Sequence, residues 1–533
     1  RGWLSLMNFF HTILVTLLGL LNHGVSGGAV YIKFANVSNT EVKYVKKSMM
    51  VDLDPGVTTE VEITTIPTFG EFLVFQVHTQ FDGVLLKGGK DRVSGKNIGL
   101  IHMLNNTTVV QFEIFNPTST RLKALLAAVV YGSSAPIPGG CNLVFSAEIS
   151  PFLKLELQNG ITAVQYQPSG SAITSCDILA YLSSIEYYVY VQYLDSDDFE
   201  EHSYFKAIEN FITVDNIAVH GEMAVRVPLH SPPEKYFPTY PGIGSVYVVV
   251  AKHSEISNGW AAYVPIATYA CPVSLEFSQC EDSSSHFEWL VLFLCFFFGG
   301  MLVVAGHRLY RIQQFIMGFI AAVLVSFIIM VRSDPNMEIV DHNSIIAITI
   351  GAGLAGGIFW LFFGMIFHWP LVTVSLPGFL VGFLYGCVLF YTPLVRFEIF
   401  QSQLAYWGLF CAVTFIFYFL MVPWLKEFSI FCCVQIGLFA IMLAVDFLTK
   451  GTIKYILINV FRRATNEKFV KVSVIVPYQV SDWITIAVAI ILLLVGYKMQ
   501  QRLERNRIPF PPPVKVNCFK TPESATETSP LLD

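Results

Sequence analysis

Four cysteines fall in the half of the chain that reads as an exterior: Cys141, Cys176, Cys271 and Cys280. In an oxidising compartment their chemistry is the formation of two disulfides. Three pairings are possible. The favoured one is Cys141–Cys176 with Cys271–Cys280, the second closing a short loop worth about 3 kcal/mol on the chain-entropy account. Asn36, Asn105 and Asn106 each begin an Asn-X-Ser/Thr acceptor for glycan. The last two overlap, so one glycan is expected there, and Pro117 blocks Asn116. No G-x-S-x-G elbow, H-E-x-x-H helix, glycine-rich phosphate loop or zinc spacing of Cys and His stands out. The run "DSDDFEE" (195–201) lacks the spacing of a calcium loop and reads as a solvated acidic turn. His78, His220 and His253 read as structural or surface residues. No enzyme, cofactor or metal is expected.

The elements that must position these groups divide sharply. The chain has 533 residues, 54% of them hydrophobic and only 14% charged, against about 25% charged in soluble domains. The net charge of −6 argues against a nucleic-acid partner. Residues 1–27 have the short apolar core and small-residue end of a secretory signal. Residues 28–150 and 151–285 read as two β-sandwich-like extracellular modules. Their apolar runs "EFLVFQVHTQF", "ALLAAVVYG" and "GSVYVVVAK" are rich in β-branched and aromatic residues, and turn residues separate them. One helix is expected near 197–212. Residues 286–497 carry seven apolar runs, the lipid bilayer being their partner: 287–306, 315–331, 345–367, 371–391, 405–423, 428–448 and 482–497. Residues 498–533 form a polar tail. The fold class is therefore a β-rich exterior followed by an all-α seven-helix membrane bundle.

With the exterior half outside, seven crossings place the C-terminus in the cytosol. The basic runs "HRLYR" and "KMQQRLERNR" agree with that orientation. The loop 449–481 does not, since parity puts its six Lys and Arg residues outside. Ile453, Ile456, Leu457, Val460 and Phe461 fall on one helical face, as expected of an amphipathic helix on the outer surface. The alternative is that one run does not fully cross.

Glycines repeat four apart in two neighbouring runs: Gly353 and Gly357, then Gly378, Gly382 and Gly386. Small residues at this spacing let helices approach closely. Only His368, Trp369 and Pro370 separate the two runs, and the stripes lie at matching depth, so they are expected to face each other. Asp446, near the outer end of the sixth run, reads as a structural carboxylate rather than an ion or proton site. Cys432 and Cys433 read as packed rather than acylated.

Residues 508–515, "IPFPPPVK", read as a polyproline spacer. Glu527 followed by Leu531 and Leu532 matches an acidic dileucine sorting signal for a clathrin adaptor, with cycling through endosomes and lysosomes.

The segments "PIPGGCNLVF" (136–145), "AAYVPIATYAC" (261–271), "GHRLYR" (306–311), "FYTPL" (390–394), "NVFRRATNEKF" (459–469), "RIPFPPP" (507–513) and the terminal "SPLL" resemble the transmembrane 7 superfamily member 3 family. Their order is kept from about residue 70 to the end. The membrane half also resembles the domain shared with the transmembrane protein 198 family. The resemblance implies a seven-span plasma-membrane glycoprotein linked to cell survival and to damping of the unfolded-protein response. It supplies no catalytic residues. Two other classes compete: an orphan receptor signalling through cytosolic partners, and a channel or lipid-handling protein. An extracellular ligand is expected but its identity is open. The D-R-Y-like and N-P-x-x-Y-like segments of rhodopsin-type receptors are absent.

Overall fold

The apolar runs of the exterior half form strands, and those of the membrane half form helices. The computed structural model describes residues 28–34, 44–105, 107–140, 153–158, 160–170, 185–227, 232–254, 256, 259–271, 280, 286–333, 342–367 and 370–505. Residues 1–27, Asn36, Asn106, Cys141, Cys176 and the tail with Glu527, Leu531 and Leu532 lie outside them. The chain forms two compact units. The first takes residues up to Ser283 together with Lys468–Gln479, and the second takes Ser284–Glu467 with Val480 onward.

In the first unit the strands are β1 (Val30–Lys33), β2 (Tyr44–Leu53), β3 (Thr58–Thr64), β4 (Gly70–His78), β5 (Val84–Gly88), β6 (Asp91–Gly95), β7 (Asn97–Met103), β8 (Val109–Phe115), β9 (Leu122–Gly132), β10 (Leu153–Gln158), β11 (Ile161–Tyr166), β12 (Ile185–Ser196), β13 (Glu222–Val227), β14 (Glu234–Pro238), β15 (Ile243–His253), β16 (Trp260–Ala262) and β17 (Ile266–Thr268). Two short helices, α1 (Glu201–Asn210) and α2 (Val214–His220), follow β12. The sequence predicts only one helix here. Gly221, whose Cβ would strike the Ile217 carbonyl at 2.7 Å, marks where α2 ends.

Sheet β1-β3-β8-β5-β6 lies against sheet β2-β9-β4-β7, and sheet β10-β11-β14 against β13-β12-β15-β16. These are the two sandwiches. They are not separate beads. Along β9, Ala124, Leu126, Ala128 and Val130 enter the first sandwich core. The alternate residues Leu125, Ala127, Val129 and Tyr131 enter a second core. Strand β15 does the same: Val246, Val248 and Val250 join that shared core, while Tyr247, Val249 and Ala251 enter the second sandwich. This is why both strands read as unbroken apolar runs: each is covered on both faces. Tyr204, Phe205 and Ile208 of α1 complete the shared core.

His78, at the end of β4, is fully buried on the face that carries Phe72 and Val74. Its ring nitrogens lie 2.9 Å from Asn97 Oδ1 and 3.1 Å from Gln76 Oε1. Burial pushes its pKa down from 6.5 to about 4, against the pull of the Asn97 hydrogen bond. A folded pKa below the unfolded one means the neutral ring is favoured in the fold. Its stabilisation is therefore complete above about pH 6.5 and is lost as pH falls toward 4. By about 1.4 kcal/mol per pKa unit, the loss approaches 3 kcal/mol at the acid end. Hydrogen exchange of β4 and α1 at pH 7 and pH 4.5 measures it. His78→Gln should flatten the difference.

In the second unit the helices are α3 (His286–Ala305), α4 (Tyr310–Ser333), α5 (His342–Phe367), α6 (Pro370–Phe390), α7 (Gln403–Met421), α8 (Leu425–Thr449), α9 (Tyr455–Thr465) and α10 (Val480–Glu504). Seven of these, all but α9, are long and apolar enough to cross a membrane. The last spans Val480–Glu504, ending seven residues beyond the expected run, because Lys498 and Arg502 extend a helix whose apolar part ends earlier. Cys432 and Cys433 are both fully buried.

The two glycine stripes do not face each other. Gly353, Gly356 and Gly357 turn to α4, where added Cβ atoms would strike Val323, Ala322 and Phe315. Gly378, Gly382 and Gly386 turn to α7 and α8, meeting Phe428, the Thr414 backbone and Phe410. The physical reason is that α4 carries its own small pair, Gly318 and Ala322, four apart. A Cβ on Gly318 would lie 3.1 Å from Gly357 Cα. A stripe pairs with the helix whose surface matches it, not with the next helix in the chain. The small-xxx-small pattern in α4 was visible in "MGFIAAV" and is the signal that the glycine count alone misses.

Candidate functional site

The connection from α8 to α10 gathers buried polar groups, Asp446, Thr452, Asn459, Arg463 and Asp482 among them. Asp446 and Asp482 are 0% and 1% exposed. Asp446 sits in the last turn of α8, whose C-cap Lys450 takes the left-handed conformation at φ 53°. Asp446 Oδ1 accepts the Ile453 N–H at 2.8 Å and Oδ2 the Lys454 N–H at 3.0 Å. Asp482, in the first turn of α10, accepts the Thr452 N–H at 2.9 Å and the Thr452 hydroxyl at 2.6 Å. A Cβ on Gly451 would strike both carboxylates, so only glycine fits between them. Each acid thus binds the opening of α9, where free backbone N–H groups attract negative charge. The chemistry is that of a clamp. It matches the structural reading of Asp446. Asp482 was missed, although an acid at a helix start next to Trp483 was a visible cue.

Helix α9 follows directly. Ile453, Ile456 and Val460 are buried, as an apolar face predicts. That face packs on α6 and α4. Arg463 is also buried. Its guanidinium lies 4.0 Å over the Tyr406 ring and donates to the Phe400 carbonyl at 2.6 Å. Tyr391 Oη donates to the Thr452 carbonyl at 2.6 Å, holding the same turn. So Arg463, one of the basic residues that conflicted with the charge rule, works as a packed anchor.

Residues 468–479 then enter the first unit. Ile475 is fully buried in the core of the second sandwich. Its carbonyl accepts from Tyr240 Oη at 2.8 Å and Tyr193 Oη at 3.4 Å. The Ser473 N–H donates to the Tyr236 carbonyl at 2.9 Å, and Val472 pairs with Tyr236 as a single parallel bridge on β14. Gln479 closes the segment. Its Oε1 accepts the Ser196 N–H at 3.3 Å and its Nε2 donates to the Leu194 carbonyl at 3.5 Å. Phe469 is 1% exposed. The β-branched, partly alternating run Val470–Val476 is a visible strand signal, but nothing local says which sheet it joins. Its cradle is built from residues more than 200 positions away, which is why sequence alone misses it.

At the opposite end of the bundle helix, Gln500 of α10 donates to the Leu302 and Val303 carbonyls at 2.7 Å each and accepts the His307 N–H at 3.2 Å. It caps the end of α3. Gln314 joins α4 to its neighbours, donating to the Thr373 carbonyl at 3.2 Å and accepting Trp360 Nε1–H at 2.7 Å.

Of the other sites predicted from sequence, Cys271 and Cys280 are joined by a disulfide. Asn105 lies exposed in the turn between β7 and β8. The described part of the first unit also holds a groove of about 660 Å³ between β2, β9 and α1. Leu125 and Phe205 line it together with Asp52, Lys123, Lys206 and Glu209.

Comparison with known proteins covers both units. Residues 39–131 match the model described as TM7SF3-like, N-terminal immunoglobulin-like domain, and residues 136–274 the TM7SF3-like, second immunoglobulin-like domain. Residues 292–501 match the TM7S3/TM198-like domain. The chain is similar to human "Transmembrane 7 superfamily member 3", with 26% identity over 534 aligned residues, covering 95% of this chain and 90% of that one. The rat protein of the same name is 27% identical over 468 residues, covering 83% of this chain and 80% of that one.

Proposed function

Since the chain belongs to the TM7SF3 family of seven-pass membrane proteins, we propose that it is a non-enzymatic plasma-membrane glycoprotein that supports cell survival and damps the unfolded-protein response. Its immunoglobulin-like head engages an external ligand, and its bundle anchors the head. The observation that carries this reading is the threading of residues 468–479 into the head. The chain passes between the two units three times, so three covalent connections join the head to its anchor. The groove between β2, β9 and α1 is the place a ligand would occupy. The survival and stress part rests on the family resemblance.

The same threading supports an orientation. Six candidate spans separate the head from residues 468–479. An even number of crossings returns the chain to the side on which it started. The basic connector therefore lies with the head, outside, and the charge rule yields to packing. The C-terminus lies in the cytosol, where Glu527, Leu531 and Leu532 meet a clathrin adaptor.

Depletion in cultured cells tests the function. Loss of the protein should raise unfolded-protein-response reporters and cell death under a glycosylation inhibitor, and re-expression should reverse both. Unchanged reporters after depletion would sink the proposal. In the same cells, Leu531→Ala with Leu532→Ala should shift protein from internal vesicles to the surface, and a C-terminal epitope should stain only after permeabilisation.

A further inference from the structure

We propose that the second immunoglobulin-like module is a split domain, completed only when the sixth span has been inserted and the following connector reaches the head. Folding of the head thereby reads out correct threading of the bundle. The argument starts from what the module lacks without its insert. Ile475 belongs to the same buried core as Leu153 of β10, Tyr187 of β12 and Tyr247 of β15. Without it, the hydroxyl of Tyr240 loses its 2.8 Å bond to the Ile475 carbonyl, and Tyr240, 1% exposed in the complete fold, loses part of its cover. The outer edge of β14 also loses the bridge to Val472 and the Ser473 N–H, leaving an open strand edge. Phe469, Val472 and Val474 are each buried as well. Alternate residues of the segment are thus buried as in a core element, not exposed as in a loosely laid strap.

The order of synthesis makes the gap consequential. Tyr240 and Ile475 are 235 residues apart. At about 5–20 residues per second, the head waits on the order of 10–50 s for its missing piece, longer than the milliseconds to about a second in which β-sandwiches fold. All six intervening candidate spans must be placed first. If one of them fails to cross, parity delivers residues 468–479 to the wrong side of the membrane, and the head cannot close. A membrane-insertion error on one side of the bilayer becomes an unfinished sandwich on the other.

The experiment uses the full-length chain translated into microsomes, followed by permeabilisation and limited proteolysis of the head. Three chains are compared with wild type: residues 468–479 replaced by a Gly/Ser stretch of equal length, Ile475→Asp, and Lys471→Ala as an exposed control. Loss of the protease-resistant second-module fragment is expected for the first two. The Lys471→Ala chain should match wild type. Wild-type resistance of the second module in the Gly/Ser chain overturns the proposal. Timing supplies an independent measurement. Nascent chains arrested before Lys468 should lack the resistant second-module fragment, and chains arrested well past Gln479 should possess it. Resistance already present before Lys468 emerges also overturns the proposal, whatever the variants do.

Discussion

Gly437→Leu should strongly destabilise the folded bundle, while Gly300→Leu, on the helix that Gly437 touches, should leave it intact. Gly437 lies on α8 where that helix crosses α3. A Cβ there would sit 2.6 Å from the Gly299 carbonyl oxygen, 2.7 Å from Leu302 Cβ and 3.1 Å from the Val303 nitrogen. The arrangement is reciprocal: a Cβ on Gly299 would meet the Gly437 carbonyl at 2.6 Å. Overpacked cores usually cost about 1–3 kcal/mol because side chains can shift. Here two of the three obstacles are backbone atoms, so no rotamer change relieves the clash and the helices must separate. A cost of roughly 3 kcal/mol or more is expected. Gly300, the next residue, has nothing within 4 Å of its added Cβ and should accept leucine. The yield and thermal midpoint of monodisperse protein in detergent compare the two directly. Equal behaviour would show that the α3–α8 crossing is not a close backbone contact.

The second large effect is expected at the carboxylate clamp. Asp482→Ala removes two acceptors from the fully buried Thr452, one for its N–H and one for its hydroxyl. Hydrogen bonds to a charged group contribute about 1.5–3 kcal/mol each, so a loss of about 3–6 kcal/mol is expected for the two. Asp482→Asn keeps one acceptor oxygen and should fall between wild type and alanine. Asp446→Ala releases the Ile453 and Lys454 N–H groups of the same turn. Because both acids hold one turn, the double variant should lose less than the sum of the two singles. Chemical-denaturation midpoints of the four proteins test this. Full additivity would mean that the two carboxylates act on independent structures.

Both effects arise where local pattern met long-range geometry. The apolar runs of the membrane half were legible because lipid demands about 20 apolar residues per crossing, whatever their neighbours are. The strands were legible for a similar reason, since β-branched and aromatic runs between turn residues suit a pleated, buried surface. The apolar stripe of α9 was legible from its period, and the structural role of Asp446 from its place at a helix end. An added Cβ at Gly353, Gly357, Gly378, Gly382 or Gly386 would meet a neighbouring helix, and the repeat of glycines four apart is plain in the chain. That repeat could not say which helix approaches, because a missing side chain carries no information about its partner. Asp482, Arg463 and Gln500 were harder still. A polar residue in an apolar run shows that a partner exists, but the partner is chosen by packing.

The amino-acid sequence by itself determined the division into a strand-rich head and seven crossing-length helices, since burial in lipid or between sheets depends on local composition and period. Only the tertiary structure decided that the two head modules share a core through β9 and β15, that the glycine stripes turn to α4, α7 and α8, and that residues 468–479 belong to the head. Those outcomes depend on surfaces brought together from distant parts of the chain. Ile475 is an ordinary apolar residue until Tyr193 and Tyr240 are folded around its carbonyl.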